Sequence, residues 1–192
     1  MVDLVAQSPL QDHWADNYPA RIQRTGLDVR ENPGRLKYLL ATDGTSDVLR
    51  AVTTSLGAPL PATAKDITGD DPCCIRLAPN RWLICYERSH GLGERLIRTT
   101  AALQASVNDV SDGWLSIDIA GPLAYALLVR GCELDLHQRA FGKGRFAATQ
   151  IAAIDVLIHL RVHADSYEVL VDRSLAADLW MWLKDRAKEL TE

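Results

Sequence analysis

A thiol, two carboxylates, an imidazole and a guanidinium fall within one short run, Gly131-Cys132-Glu133-Leu134-Asp135-Leu136-His137-Gln138-Arg139-Ala140-Phe141. Such a set could pair a nucleophile with a base, or supply ligands to a metal ion. The spacing works against both. In an extended chain Asp135 and His137 share one face and Cys132 takes the other, and no second ligand cluster stands elsewhere to complete a tetrahedral site. Gly131 reads as a left-handed cap where a helix passes into this loop. Leu134 and Leu136 are expected to pack inward, while Asp135, His137 and Arg139 tie the loop down by hydrogen bonds.

The remaining reactive-looking motifs are incomplete. His90-Gly91-Leu92-Gly93-Glu94-Arg95-Leu96 follows a strand and opens a helix, as a dinucleotide fingerprint does, but Leu96 stands where the third glycine belongs. Gly142-Lys143-Gly144-Arg145 lacks the frame of a phosphate-binding loop and reads as a basic turn. His159 and His163 are four apart on a strand running into a turn, without the helical frame of a zinc site. Cys73 and Cys74 are adjacent and Cys85 and Cys132 stand alone, so the four thiols read as reduced and mostly buried. No catalytic, cofactor-binding or metal-ligating residue is assigned on this chain.

The elements that would position any site form a repeat. With a shift of 85 positions, Trp82 falls on Tyr167, Ile84 on Val169, Tyr86 on Val171, Glu87 on Asp172, Arg88 on Arg173 and Ser89 on Ser174. Each segment is a β-rich run ending at an acid-Arg-Ser corner, where the serine could accept a bond from the first helical amides. Cys73-Leu77 matches Val156-Leu160 as the preceding strand of a hairpin, and Ser55-Leu60 matches Val129-Leu134 as a helix exit. The fold class is therefore α+β: a duplicated unit of antiparallel sheet with covering helices. The halves are expected at 37–107 and 112–192, in one compact domain, after an extended polar arm at 1–36. The last helix, from Ser174, sets Leu175, Leu179, Leu183, Ala187 and Leu190 on one stripe. Trp180 and Trp182 flank that stripe and Met181 points to the polar side, which makes Trp182 and Met181 candidate partner contacts.

A formal charge of -4 with mixed signs leaves no basic stripe for nucleic acid. The N-terminus lacks a signal-peptide pattern and no apolar run is long enough to span a bilayer, so a cytoplasmic protein is expected.

Three segments together resemble the gamma subunit of heterotetrameric sarcosine oxidase. They are Asp109-Val110-Ser111-Asp112-Gly113-Trp114, Ser116-Ile117-Asp118-Ile119-Ala120-Gly121-Pro122 and the Gly131-Phe141 loop, joined by Arg173-Ser174-Leu175-Ala176-Ala177-Asp178-Leu179-Trp180-Met181-Trp182-Leu183 near the end. Gln138 departs from the family's usual proline and Phe146 from a common cysteine. The resemblance implies an aminomethyltransferase-like, folate-binding-domain-like fold and a non-catalytic structural role in a complex that oxidatively demethylates sarcosine to glycine. Its products would be hydrogen peroxide and formaldehyde or methylene-tetrahydrofolate. It also implies alpha, beta and delta partner subunits, chiefly the large one, which carry FAD, FMN, NAD and zinc, with tetrahydrofolate as co-substrate. Two alternatives stand beside it. One is the equivalent subunit of a related N-methyl amino acid oxidase or dehydrogenase. The other is a free-standing folate-binding protein, which needs a carboxylate facing an apolar cleft, and Asp118 is the candidate.

Overall fold

The computed structural model describes residues 7–13, 18–63, 67–87, 91–137, 139–162 and 166–190. Two short strands, Arg21–Arg24 (β1) and Leu27–Glu31 (β2), form a hairpin whose turn uses Gly26 at φ 73°. Next come Arg35–Thr42 (β3), the helix Ser46–Leu56 (α1), Ile67–Thr68 (β4), Cys73–Ala78 (β5), Arg81–Glu87 (β6), the helix Leu92–Thr100 (α2) and Ala105–Asp109 (β7). The chain continues through Trp114–Ala120 (β8), the short helix Ala124–Leu128 (α3), Phe146–Ile151 (β9), Ile154–Leu160 (β10), Ser166–Asp172 (β11) and the helix Ala176–Lys188 (α4).

Two compact units result. One contains Met1–Pro33, Asp112–Lys143 and Ala147–Glu192; the other contains Gly34–Ser111 and Gly144–Phe146. The sheet of the first runs β1-β2-β8-β11-β10-β9 and that of the second runs β4-β5-β6-β3-β7. Read from the opposite end, the first order is β9-β10-β11-β8-β2-β1; its first five places match the five strands of the second sheet, and β1 extends it by one. This is the duplication expected from the sequence. The 85-residue shift holds to the residue, since β6 and β11 both have seven residues and start at Arg81 and Ser166.

Within the arm expected at 1–36, residues 18–36 carry β1, β2 and the start of β3. Leu27 and Val29 of β2 turn into the core, and β2 pairs with β8 from Asp28↔Ala120 to Glu31↔Ile117. The buried Glu31 carboxylate accepts from Ser8 Oγ and from the Ala20 amide at 3.2 Å, tying the preceding segment to the sheet. The five residues of β2, between Gly26 and Pro33, are too few to display a period, so this strand was hidden in the sequence. The second unit accordingly begins at Gly34 rather than at 37.

Helix faces follow the apolar spacing. Val48, Val52 and Leu56 of α1 and Leu92 and Leu96 of α2 lie buried with Tyr38, Leu40, Trp82, Ile84 and Tyr86 of the second unit's sheet. Gly57, at φ 73°, ends α1 as a left-handed cap, its amide donating to Thr53 O at 2.9 Å. In the first unit Ala176, Leu179, Trp180, Leu183 and Ala187 of α4 share a core with Ile117, Ile119, Val169 and Val171. Leu175, expected on the inward stripe, lies in a 3-10 turn before the helix and is 37% exposed, and Trp180, expected at the edge of that stripe, is buried. The cap at this corner is Asp172 rather than Ser174: its Oδ1 accepts from Ser174 N at 2.8 Å and from Ser174 Oγ at 2.6 Å. Those bonds hold the exposed Asp172 carboxyl below its ordinary range. The matching corner residues Arg88, Ser89 and His90 lie outside the described residues.

Candidate functional site

In the first unit, the core-facing residues of β8, β10 and β11 alternate with a second set. That set is Ser116 and Asp118 on β8, Glu168 and Leu170 on β11, and Leu157 and His159 on β10. Cross-strand register lines up Arg30, Asp118, Glu168 and His159 as one row over four strands. Asp118, Glu168 and His159 are buried. Two carboxylates directly opposite each other repel, and here cations separate them. Arg161 Nη2 sits 3.1 Å from Asp118 Oδ1 and 3.4 Å from Glu168 Oε2. Arg30 Nε lies 3.5 Å from Asp118 Oδ2, which also accepts from Asn32 Nδ2 at 3.2 Å. His159 Nδ1 is 3.8 Å from Glu168 Oε2.

Burial raises the Asp118 carboxyl above its ordinary range, against the opposing pull of Arg161, Arg30 and Asn32. The contact from Arg161 to Asp118 falls short of hydrogen-bond geometry despite its length, so its attraction is chiefly coulombic. Asp118 therefore does not face an apolar cleft, as a pterin-binding carboxylate would. It is held in an ion-paired row that pins four strands in register. The signal in sequence was the polar residues alternating with apolar ones in S-I-D-I, I-H-L and Y-E-V, which periodicity arguments discard as noise.

The Gly131–Phe141 loop is built differently from its first appearance. Gly131 does not have a positive φ, so it is no left-handed cap. It is glycine because a Cβ there would lie 2.4 Å from Trp182 Cζ2 and 2.8 Å from Cη2. Trp182 thus packs its ring over the loop backbone and against the core, while Met181 remains 50% exposed. Cys132 is buried, bridges Ile151 and has its Sγ 3.8 Å from Thr149 Oγ1, whereas Asp135 and His137 are exposed. Asp135 Oδ1 accepts from the His137 amide at 2.9 Å, His137 Nδ1 accepts from the Arg139 amide at 3.3 Å, and the Ala140 and Phe141 amides both donate to His137 O at 2.8 Å. Buried Leu136 seats the loop, and Tyr125 meets the His137 ring edge-on at 6.4 Å. Gln138 lies outside the described residues.

In His90–Leu96, Gly91 sits at φ 55°, whereas Gly93 has a packing reason. A Cβ on Gly93 would lie 2.2 Å from Tyr38 Cζ, and the Gly93 amide donates to Tyr86 Oη at 2.7 Å. A first-turn amide that could have faced a phosphate is thus taken by a tyrosine hydroxyl. His159 is engaged beside Glu168, and its expected neighbour His163 lies outside the described residues. Among the described residues, no three His, Cys, Asp or Glu side chains converge as a metal set.

With this geometry in place, likeness to known proteins becomes specific. The model of the sarcosine oxidase gamma subunit family matches residues 41–189. The sarcosine oxidase gamma subunit of an Arthrobacter species is 30% identical over 141 residues, which is 72% of this chain and 69% of that one. That of Corynebacterium sp. strain U-96 is 29% identical over 143 residues, 73% of this chain and 69% of that one. Among solved structures, a chain of the heterotetrameric sarcosine oxidase from Corynebacterium sp. U-96, in complex with pyrrole 2-carboxylate, superposes with a TM-score of 0.83 at 26% identity, covering 97% of each chain. The glycine cleavage system aminomethyltransferase T from Bartonella henselae shares the fold with a TM-score of 0.59 at 15% identity, over 84% of this chain and 46% of that one. A duplicated α+β fold of this kind, matched by the family model over most of its length, places the chain in the sarcosine oxidase gamma subunit family.

Proposed function

We propose that the chain is a non-catalytic structural subunit of a heterotetrameric sarcosine oxidase that oxidatively demethylates sarcosine to glycine, yielding hydrogen peroxide and formaldehyde or methylene-tetrahydrofolate. The carrying observation is the likeness to a chain of the Corynebacterium complex, with a TM-score of 0.83 over 97% of both chains. The side chains that looked reactive in sequence support it: Asp118 sits in an ion-paired row, and Asp135 and His137 are engaged in their own loop. In this reading FAD, FMN, NAD and zinc reside on the alpha, beta and delta partners, and tetrahydrofolate is a co-substrate of the complex. The chain's work is to bury surface on the large subunit and so stabilise the assembled state by mass action. Among the described residues, no helix is long and apolar enough to cross a membrane, and we place the complex in the cytoplasm.

Reconstitution tests the proposal. A complex assembled from the alpha, beta and delta subunits alone should show a lower Tm and reduced turnover, both restored by adding this chain. Full turnover at unchanged stability without it would refute the structural role. Calorimetry of the isolated chain with tetrahydrofolate should give no binding heat, and saturable binding there would revive the free-standing folate reading.

A further inference from the structure

The second unit carries a row of its own on the face opposite α1 and α2. Cross-strand register places Lys37 of β3 opposite Cys85 of β6, and Cys85 opposite Cys73 of β5. All three residues are buried, and the two cysteines are thiols. Directly opposed residues on antiparallel strands have Cα atoms about 4.5–5.5 Å apart, within the span of about 4.4–6.8 Å that a disulfide bridges. Cys74, one residue away, projects to the other face and joins the apolar core beneath α1.

We propose that Cys73 and Cys85 form a peroxide-driven modification site, in which a hydroperoxide such as hydrogen peroxide converts the thiol pair into a cross-strand disulfide between β5 and β6. A cation beside a thiol favours the thiolate, which is the nucleophile toward peroxide, and Lys37 is placed to act on Cys85 in this way. The Cys85 thiolate attacks one peroxide oxygen; an S–O bond forms, the O–O bond breaks, and hydroxide leaves and takes a proton to become water. The Cys73 thiolate then attacks the sulfenic sulfur; the S–S bond forms as the S–O bond breaks, and the expelled hydroxide takes up the proton that Cys73 had released to become a second water. Two thiols and one peroxide become one disulfide and two waters, with two electrons passing from sulfur to oxygen. Cys74 is excluded by position, and burial in apolar surroundings pushes its thiol far above the ordinary range. The burial of Cys73 and Cys85 makes the reaction depend on breathing of the sheet, and the same burial shields the closed link from reductant.

The test uses the full chain, reduced, freed of reductant and exposed to hydrogen peroxide under native conditions. After quenching, remaining thiols are alkylated in denaturant, and the unreduced tryptic digest is read by mass spectrometry. The expected product links Asp66–Arg76 to Trp82–Arg88, with Cys74 alkylated. Cys74→Ser keeps the link and Cys85→Ser abolishes it. Lys37→Met slows its formation by about tenfold while Lys37→Arg preserves the rate. Native protein in which both cysteines remain alkylatable, or become over-oxidised without linking, overturns the proposal. A link that depends on Cys74 does the same. Should Lys37→Met fail to fold, the linkage pattern of the wild-type chain and the two cysteine variants decides the matter alone.

Discussion

Replacing Arg161 with Met lowers the stability of the chain by about 3–5 kcal/mol, the usual cost of removing one partner from a buried ionic group. The side chain is 15% exposed and holds Asp118 and Glu168 at 3.1 and 3.4 Å. Methionine fills much of the same volume, so lost charge rather than a cavity dominates. Two carboxylates on adjacent strands then face each other with less compensation, and adding Asp118→Asn recovers part of the loss. Urea unfolding followed by circular dichroism measures both. A loss below about 0.5 kcal/mol, the range of an ordinary surface change, would show that Arg161 does not compensate this row. The single variant Asp118→Asn has a pH signature. Because burial raises the folded-state value, Asp118 favours folding most below its unfolded value, about pH 4. That contribution fades as pH rises through the folded value. Asp118→Asn removes this component, so its stability changes less steeply between mildly acidic and neutral pH than that of the parent.

Gly131→Ala is expected to cost about 1–3 kcal/mol, the range for forcing extra atoms into packed space. The new methyl would meet the Trp182 ring at 2.4 Å and the Ala152 amide nitrogen at 3.2 Å, and an indole ring has little freedom to yield. Trp182→Leu should restore most of the loss in the double variant, since it removes the atoms that clash. Thermal unfolding of the two single variants and the double closes the cycle. If Gly131 were instead needed for its backbone conformation, Trp182→Leu would leave the cost of Gly131→Ala unchanged. Alanine at the two candidate partner contacts separates core from surface: Trp182→Ala should destabilise the chain itself, whereas Met181→Ala, on the exposed side of α4, should leave it folded.

The duplication was legible because two seven-residue strands keep the same alternation and the same acid-Arg-Ser ending, at Glu87-Arg88-Ser89 and Asp172-Arg173-Ser174. Boundaries within the chain were less so. β2 has five residues, and its partner β8 lies far along the sequence, so nothing local marks Leu27 and Val29 as core. Gly131 and Gly93 were visible as glycines but their reason was not, because each is set by an aromatic ring brought in by tertiary structure, Trp182 in one case and Tyr38 in the other. The ion-paired row was invisible for a related cause: Arg30, Asp118, His159 and Glu168 belong to four strands, and only register joins them. Local chemistry such as the Asp135 turn could be read directly, because its partners lie within two residues.

The place of β2 in the sheet bears on how the chain is made. During synthesis β1 and β2 emerge before the inserted unit, yet β8, the strand on which β2 pairs, arrives only after Gly34–Ser111 has been translated. The intervening unit can complete its own sheet in that interval, since domains fold as units during synthesis. The hairpin must wait, its Leu27 and Val29 uncovered, until β8 appears. Once the inserted unit is compact, the ends of the connection are no longer joined by a loose coil, and the entropy cost of bringing β2 to β8 falls. A circular permutant that moves residues 1–33 behind Glu192 would leave only Gly144–Phe146 interrupting the first unit, and its refolding should no longer depend on that earlier step.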